Sequence, residues 1–312
     1  MYFVVVSKDH PDIAVAELNS MSCNVSKVCG NLVFCRTITK FCQRLAYSNF
    51  CYKYLFCCNL SILPRRMKEF SWQSVCSKDF CVRLHGSKEY SEKELASYVW
   101  KGLKNPKVNL DNPKTMIGIF VMGDTACAGI LVMSNTNDFG VRKAHLRPAL
   151  HPSSLHPKLA RAMVNMTGIK SGVLLDPFCG TGGILIEAAL IGLSPLGCDI
   201  SQKMVDAAKK NLEHFGLQAR VKSMDALMLR RKVRFVATDL PYGRNTRADS
   251  RLYKDFFRVL DKILVRKAVV GLPSTVRLPD LLSGTRLKCA AAFDYYLHKS
   301  LSKKLVILQK AF

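Results

Sequence analysis

From Val173 onward the chain alternates short apolar stretches with helix-patterned ones, and few architectures accommodate that rhythm. It predicts an open, mostly parallel α/β sheet. Residues 173–176 read as a buried strand, 181–191 as a helix and 195–199 as a second strand. Ser201 stands where a helix cap belongs. Met204, Val205, Ala208, Leu212 and Phe215 then recur at helical spacing until Gly216 ends the helix. Further strands are predicted over 219–223, 233–239 and 267–272. Residues 287–298 and 304–309 predict an antiparallel pair at the sheet edge.

The first 134 residues lack this alternation and predict a mixed α+β region. Strands are expected over 2–7, 25–37 with a hairpin-type turn at Gly30-Asn31, up to 57, and over 80–84, 115–121 and 128–134. Helices are expected over 12–21 and up to 45. Another should start at the capping box Ser91-Glu92-Lys93-Glu94 and run to about Gly102. Pro148, Pro152 and Pro157 with Ser153-Ser154 form a turn-rich connector. No apolar run reaches the roughly 18–20 residues that a membrane span needs. The N-terminus has neither the basic lead nor the cleavage site of a signal peptide. A cytoplasmic, membrane-free protein is expected.

Lysine and arginine number 47 against 23 acidic residues, a net charge of +24. An excess that large favours a polyanion such as nucleic acid. No acid occurs between Phe139 and Leu175, where Arg142, Lys143, Arg147, Lys158 and Arg161 are candidate RNA contacts. A second acid-free stretch, from Ala226 to Thr238, holds Arg230, Arg231, Lys232 and Arg234. The 13 cysteines include no Cys-x-x-Cys pair, so no metal is expected and reduced, buried thiols are.

Two loops carry chemistry. Asp176-Pro177-Phe178-Cys179-Gly180-Thr181-Gly182-Gly183 joins the first strand of the second half to its helix. Its glycines let backbone approach a ligand at the carboxyl end of a parallel strand. Asp199 follows at the end of the next strand, where a carboxylate can hydrogen-bond ribose hydroxyls, with Ile200 beside it and Asp225 after the third strand. A nicotinamide site would need a third glycine where Leu185 stands. An acidic residue opening the loop suits a cationic sulfonium better than a pyrophosphate, so S-adenosylmethionine is the expected cofactor.

The second loop, Asp239-Leu240-Pro241-Tyr242-Gly243, resembles the Asp/Asn-Pro-Pro-Tyr motif of amino methyltransferases, with Leu240 replacing the first proline. An exocyclic amine is a poor nucleophile because its lone pair is shared with the ring. Acceptors aimed at its hydrogens favour the pyramidal nitrogen and take up developing positive charge. Asp239 and the carbonyl of Leu240 can supply them. Pro241 stiffens the turn, and Tyr242 can stack on an extruded base. No Pro-Cys catalytic pair occurs, which disfavours covalent catalysis.

Together with His151-Pro152-Ser153-Ser154-Leu155-His156-Pro157-Lys158-Leu159-Ala160-Arg161, these loops resemble the archaeal-type tRNA guanosine-10 N2-methyltransferase family. The resemblance implies a Rossmann-like methyltransferase domain over 151–312 and a linker over 135–150. A THUMP RNA-binding domain would occupy 58–134 and a ferredoxin-like subdomain 1–57. It implies tRNA as partner, Arg244 as a further RNA contact, and an N2-methyl- or N2,N2-dimethylguanosine product. A monomer is expected, with room for the small activating subunit that related eukaryotic enzymes use. Ribosomal RNA guanine-N2 methylation, adenine-N6 methylation and a non-catalytic RNA-binding subunit remain alternatives.

Overall fold

The computed structural model describes residues 1–77, 79–151, 154–241, 246–298 and 301–310. The chain forms two compact units. The first comprises Met1–Asp9, Cys23–Ile38 and Ser48–Asn135. The second takes His10–Ser22, including helix α1 (Pro11–Ser20), then Thr39–Tyr47, and the chain from Thr136 onward.

In the first unit β1 (Tyr2–Val6), β2 (Val25–Cys29), β3 (Leu32–Cys35), β4 (Ser48–Asn59), β5 (Asp79–His85), β6 (Lys107–Val108), β7 (Thr115–Met122) and β8 (Thr125–Ser134) form one sheet. Its order is β2-β3-β1-β4-β8-β7-β5-β6. The border expected at residue 57 therefore falls inside a strand. Helices α2 (Leu63–Glu69) and α3 (Glu92–Lys101) contribute Leu63, Met67, Leu95 and Val99 to a core with Trp72, Phe80 and Ile117. The serine half of the capping box forms: Ser91 Oγ accepts a hydrogen bond from the Glu94 amide at 3.1 Å. Cys57 and Cys127 face each other in register across β4 and β8 and are joined as a disulfide, which corrects the expectation of reduced thiols throughout.

The second unit is the expected α/β layer. It contains α4 (Pro157–Met166), β9 (Val173–Asp176), α5 (Gly183–Ala189), β10 (Ser194–Asp199), α6 (Gln202–His214), β11 (Arg220–Ser223) and β12 (Val233–Asp239). It continues with α7 (Thr246–Ile263), β13 (Leu264–Pro273), α8 (Leu278–Leu282), β14 (Leu287–His298) and β15 (Leu301–Lys310). The sheet order is β11-β10-β9-β12-β13-β15-β14. The first five strands run parallel, and β15 is antiparallel to both of its neighbours. Tyr253, Phe256, Phe257, Leu260 and Ile263 share one face of α7 and pack with Val236, Val270, Val306 and Leu308 of the sheet. Ser201 does not cap α6 with its hydroxyl; Asp199 Oδ1 instead accepts the Ser201 amide at 2.9 Å.

The helical stretch expected up to residue 45 is a 3-10 turn over Lys40–Arg44. It and α1 are built into the second unit. Glu17 on α1 is fully buried, and its carboxylate accepts the amides of Ala46 at 3.0 Å and Tyr47 at 2.9 Å and Nδ2 of Asn165 at 2.8 Å. The Arg44 guanidinium donates to the carbonyl of Ile169. Among the described residues no helix is long and apolar enough to cross a membrane.

Candidate active site

Three parallel strands of the second unit end in aspartate: β9 at Asp176, β10 at Asp199 and β12 at Asp239. Their carboxyl ends border a cavity of about 470 Å³. The loop from Asp176 to α5 turns sharply at Gly180 (φ +49°) and Gly182 (φ +84°), a left-handed conformation that disfavours side chains. A Cβ on Gly182 would also stand 3.2 Å from that of Ala208, so a side chain there would crowd α6. Asp199 Oδ2 accepts the Gly180 amide at 3.0 Å and fixes the loop against the neighbouring strand.

Asp176 is the most desolvated of the cavity's acids. Burial pushes its carboxyl up to about 7, helped by the nearby charges of Asp239 and Asp199. Hydrogen bonds from Thr238 Oγ1 at 2.7 Å and the Phe178 amide at 3.2 Å work the other way. Asp225 is partly used in structure: its Oδ1 accepts the Leu227 amide at 2.8 Å.

Burial also raises the pKa of Asp239, and the Lys303 ammonium opposes this. Lys303, on β15, is itself buried and binds Asp239 Oδ2. Asp239 Oδ1 has no hydrogen-bond partner among the described residues. Gly271 on β13 makes room for it: a Cβ there would lie 2.2 Å from Oδ1. The following turn is held by the Leu240 amide donating to the Gly271 carbonyl at 3.0 Å and Tyr253 Oη donating to the Pro241 carbonyl at 2.6 Å.

The cavity gathers Asp176, Pro177, Phe178, Gly180, Thr181, Asp199, Ile200, Asp225, Asp239, Leu240 and Pro241. Gly182 shapes the loop without lining the cavity. Tyr242 and Arg244 lie outside the described residues. Sequence reading missed Ser154, Leu155, Met204 and Leu252 on the wall, and Lys303 behind Asp239. Ser154 was within reach, because it belongs to the His151–Arg161 motif; its Oγ lies 2.9 Å from Thr181 Oγ1.

The expected RNA contacts need correction. Arg142 and Arg161 are buried and share Glu187, with Arg142 Nε and Arg161 Nη2 each 2.8 Å from its carboxylate. Arg147 is also buried, with Nε donating to the Arg142 carbonyl at 3.0 Å. Guanidinium groups enclosed in this way cannot reach a phosphate. Of the five candidates before residue 170, Lys143 is exposed and Lys158 half-buried, its ammonium 4.7 Å from the Tyr47 ring centroid.

Residues 144–303, just over half of the chain, match the family model described as RMKL-like, methyltransferase domain. Over 98% of its length the chain is 29% identical to the tRNA (guanine(10)-N2)-dimethyltransferase of Methanothermobacter thermautotrophicus, covering 98% of that protein. It is 34% identical over 70% of its length to the protein of the same name from Methanocaldococcus jannaschii, covering 64% of that one. Among solved structures, TrmN from Thermus thermophilus aligns over 99% of both chains, with a TM-score of 0.53 and 20% identity, a likeness of fold.

Proposed function

Because the chain belongs to the family of RMKL-like methyltransferase domains, we propose that it methylates the exocyclic N2 amine of a guanosine in tRNA, at position 10. Two relatives bear the name of that reaction, which also favours the dimethyl product. The carrying observation is one cavity that holds both the glycine loop after β9 and Asp239, whose Oδ1 has no partner among the described residues.

S-adenosylmethionine is the methyl donor, and when bound it supplies an electrophilic methyl group on a sulfonium. The residues present suit that cation. Asp176, Asp199, Asp225 and Asp239 line the cavity, and no lysine or arginine does among the described residues. Asp176 would balance the positive charge of the cofactor, and Asp199 and Asp225 would hold its hydroxyls. The Gly180–Gly182 turn admits it close to the backbone. Asp239 Oδ1 and the Leu240 carbonyl accept the two amine hydrogens of an extruded base, orient its lone pair and take up the charge that develops there. Lys303 is a positioning residue whose charge favours the ionised form of Asp239. The first unit is proposed to be the ferredoxin-like and THUMP region that grips tRNA. The protein is proposed to act in the cytoplasm as a monomer.

Unmodified tRNA transcripts with labelled S-adenosylmethionine, followed by nucleoside analysis, test the reaction. N2-methylated guanosine is expected. N6-methyladenosine would replace this reading with the adenine one. No transfer, despite binding of both substrates, would point to an activating subunit or another RNA.

Two further outcomes follow from the electrostatics. Asp176 ionises as pH rises through about 7, and only the carboxylate attracts a sulfonium. Affinity for S-adenosylmethionine should therefore climb by up to about tenfold per pH unit between roughly 5 and 7 and then level. Affinity for S-adenosylhomocysteine, which has no sulfur charge, should climb less. Calorimetric titration of both ligands checks this, and parallel curves would remove Asp176 from the sulfonium. Lys303→Met should move the acid limb of the kcat profile upward, because Asp239 loses the cation that lowers its pKa. Lys303→Arg should restore part of it, and an unmoved limb would leave Lys303 with a packing role alone.

A further inference from the structure

The basic residues of the acid-free stretch from Ala226 to Thr238 do not line the cavity above. In the second unit they meet the amino ends of the parallel strands, at the opposite end of the sheet from the cavity. Val173, Ser194, Arg220 and Val233, which open β9 to β12, line an open groove of about 1270 Å³. Those strands are four to seven residues long, so at about 3.3 Å per residue the groove lies roughly 13–23 Å from the carboxylates.

The charge of the sheet is polarised along the strands. Aspartates close β9, β10 and β12, whereas Lys209, Arg220, Arg231, Lys232 and Arg234 gather at the groove, with Glu213 the only acid on its wall among the described residues. All five cations are exposed, and none forms an ion pair among the described residues. Lys232 is tethered through its ammonium to the Lys262 carbonyl at 2.6 Å. Like charges clustered without counter-charges repel one another, and an anionic ligand relieves that repulsion. The basic surface also continues: edge strand β11 carries exposed Arg220 and Lys222 and leads towards Asp225 on the cavity wall.

We propose that the groove at the amino ends of β9 to β12 is a second RNA-backbone site, in which phosphates of the substrate RNA continue from the reaction cavity around edge strand β11. The proposal rests on the reading of RNA as substrate. Charge complementarity selects the occupant: five cations against one acid suit a phosphate chain. Among the described residues Phe235 is the only aromatic on the wall, where a protein interface would want several such anchors. Contacts of this kind position the RNA and leave base choice to the cavity.

The test uses the full chain and an unmodified tRNA transcript, with affinity measured by fluorescence anisotropy across a salt series. Arg220→Ala, Arg231→Ala and Arg234→Ala are combined, and Lys232 is spared because of its tether. A control combines Arg266→Ala, Arg277→Ala and Lys288→Ala; Arg266 lies on β13 and Lys288 on β14, away from edge strand β11. The groove variant should bind about tenfold more weakly at moderate salt, with a log–log salt slope shallower by about 2. The control should change by less than about twofold. Affinity for S-adenosylhomocysteine and kcat at saturating RNA should be unaltered while KM rises. A groove variant indistinguishable from wild type or from the control, in a protein that still methylates tRNA, would overturn the proposal and leave the catalytic reading standing. A wild-type chain that neither methylates RNA nor binds tRNA better than heparin would overturn both.

Discussion

Replacing Asp239 by alanine should lower kcat by about 10³-fold, while tRNA and S-adenosylhomocysteine bind within about twofold of wild type. The asymmetry follows from where the carboxylate acts. Its Oδ1 is an acceptor without a partner among the described residues, so little ground-state binding is lost with it. Its value lies in the charge that the amine develops during transfer. Asp239→Asn is the sharper variant, since it keeps the shape but presents an amide against Lys303. It should lose nearly as much activity. Single-turnover methyl transfer with pre-bound substrates separates the chemical step from binding. Equal losses in kcat and in RNA affinity would reduce Asp239 to a structural residue of the loop.

Glu187→Ala should have the largest effect on stability. The side chain is fully buried on α5 and holds two guanidinium groups, those of Arg142 and Arg161, with Arg147 close by. Truncation leaves enclosed cations with no carboxylate, a loss of about 3–5 kcal/mol. The melting temperature should fall by roughly 10 °C. Glu187→Gln should fall between, because an amide oxygen still accepts a hydrogen bond. Denaturant unfolding of the three proteins gives the order directly, and a loss below about 1 kcal/mol would show that water or rearrangement satisfies the arginines. The same geometry makes Arg142, Arg147 and Arg161 unsuitable for probing RNA contacts: their removal would damage the fold first.

The glycine loop and the Asp239 turn were legible because their chemistry is local. Asp176, Gly180 and Gly182 belong to one strand-to-helix connection, and backbone geometry dictates the residue types. The strands of the second unit were legible for a similar reason, since a buried parallel strand needs a short apolar run between turn signals. Lys303 was not, because it reaches Asp239 from a strand 64 residues later and nothing near it in sequence marks it. The arginines were misread for a different reason. A run of basic residues reports charge and not depth, and their acidic partner Glu187 lies on another helix. The pairing of Cys57 with Cys127 likewise depends on the register of β4 against β8, which composition does not encode.

Helix α1 carries a consequence for how the chain is made. Glu17 leaves the ribosome well before Asn165, its partner 148 residues later. At synthesis rates of roughly 5–20 residues per second, the helix waits about 7–30 s for the surface that buries its carboxylate. The strands on either side of it can meanwhile pair within the first unit, whose last strand ends at Ser134. During that interval the segments over 10–22 and 39–47, which belong to the second unit, lack the Asn165 partner of Glu17. The nascent chain should therefore be most open to chaperones and proteases at these two segments, and pulse proteolysis of stalled chains ending before residue 165 should cut there first.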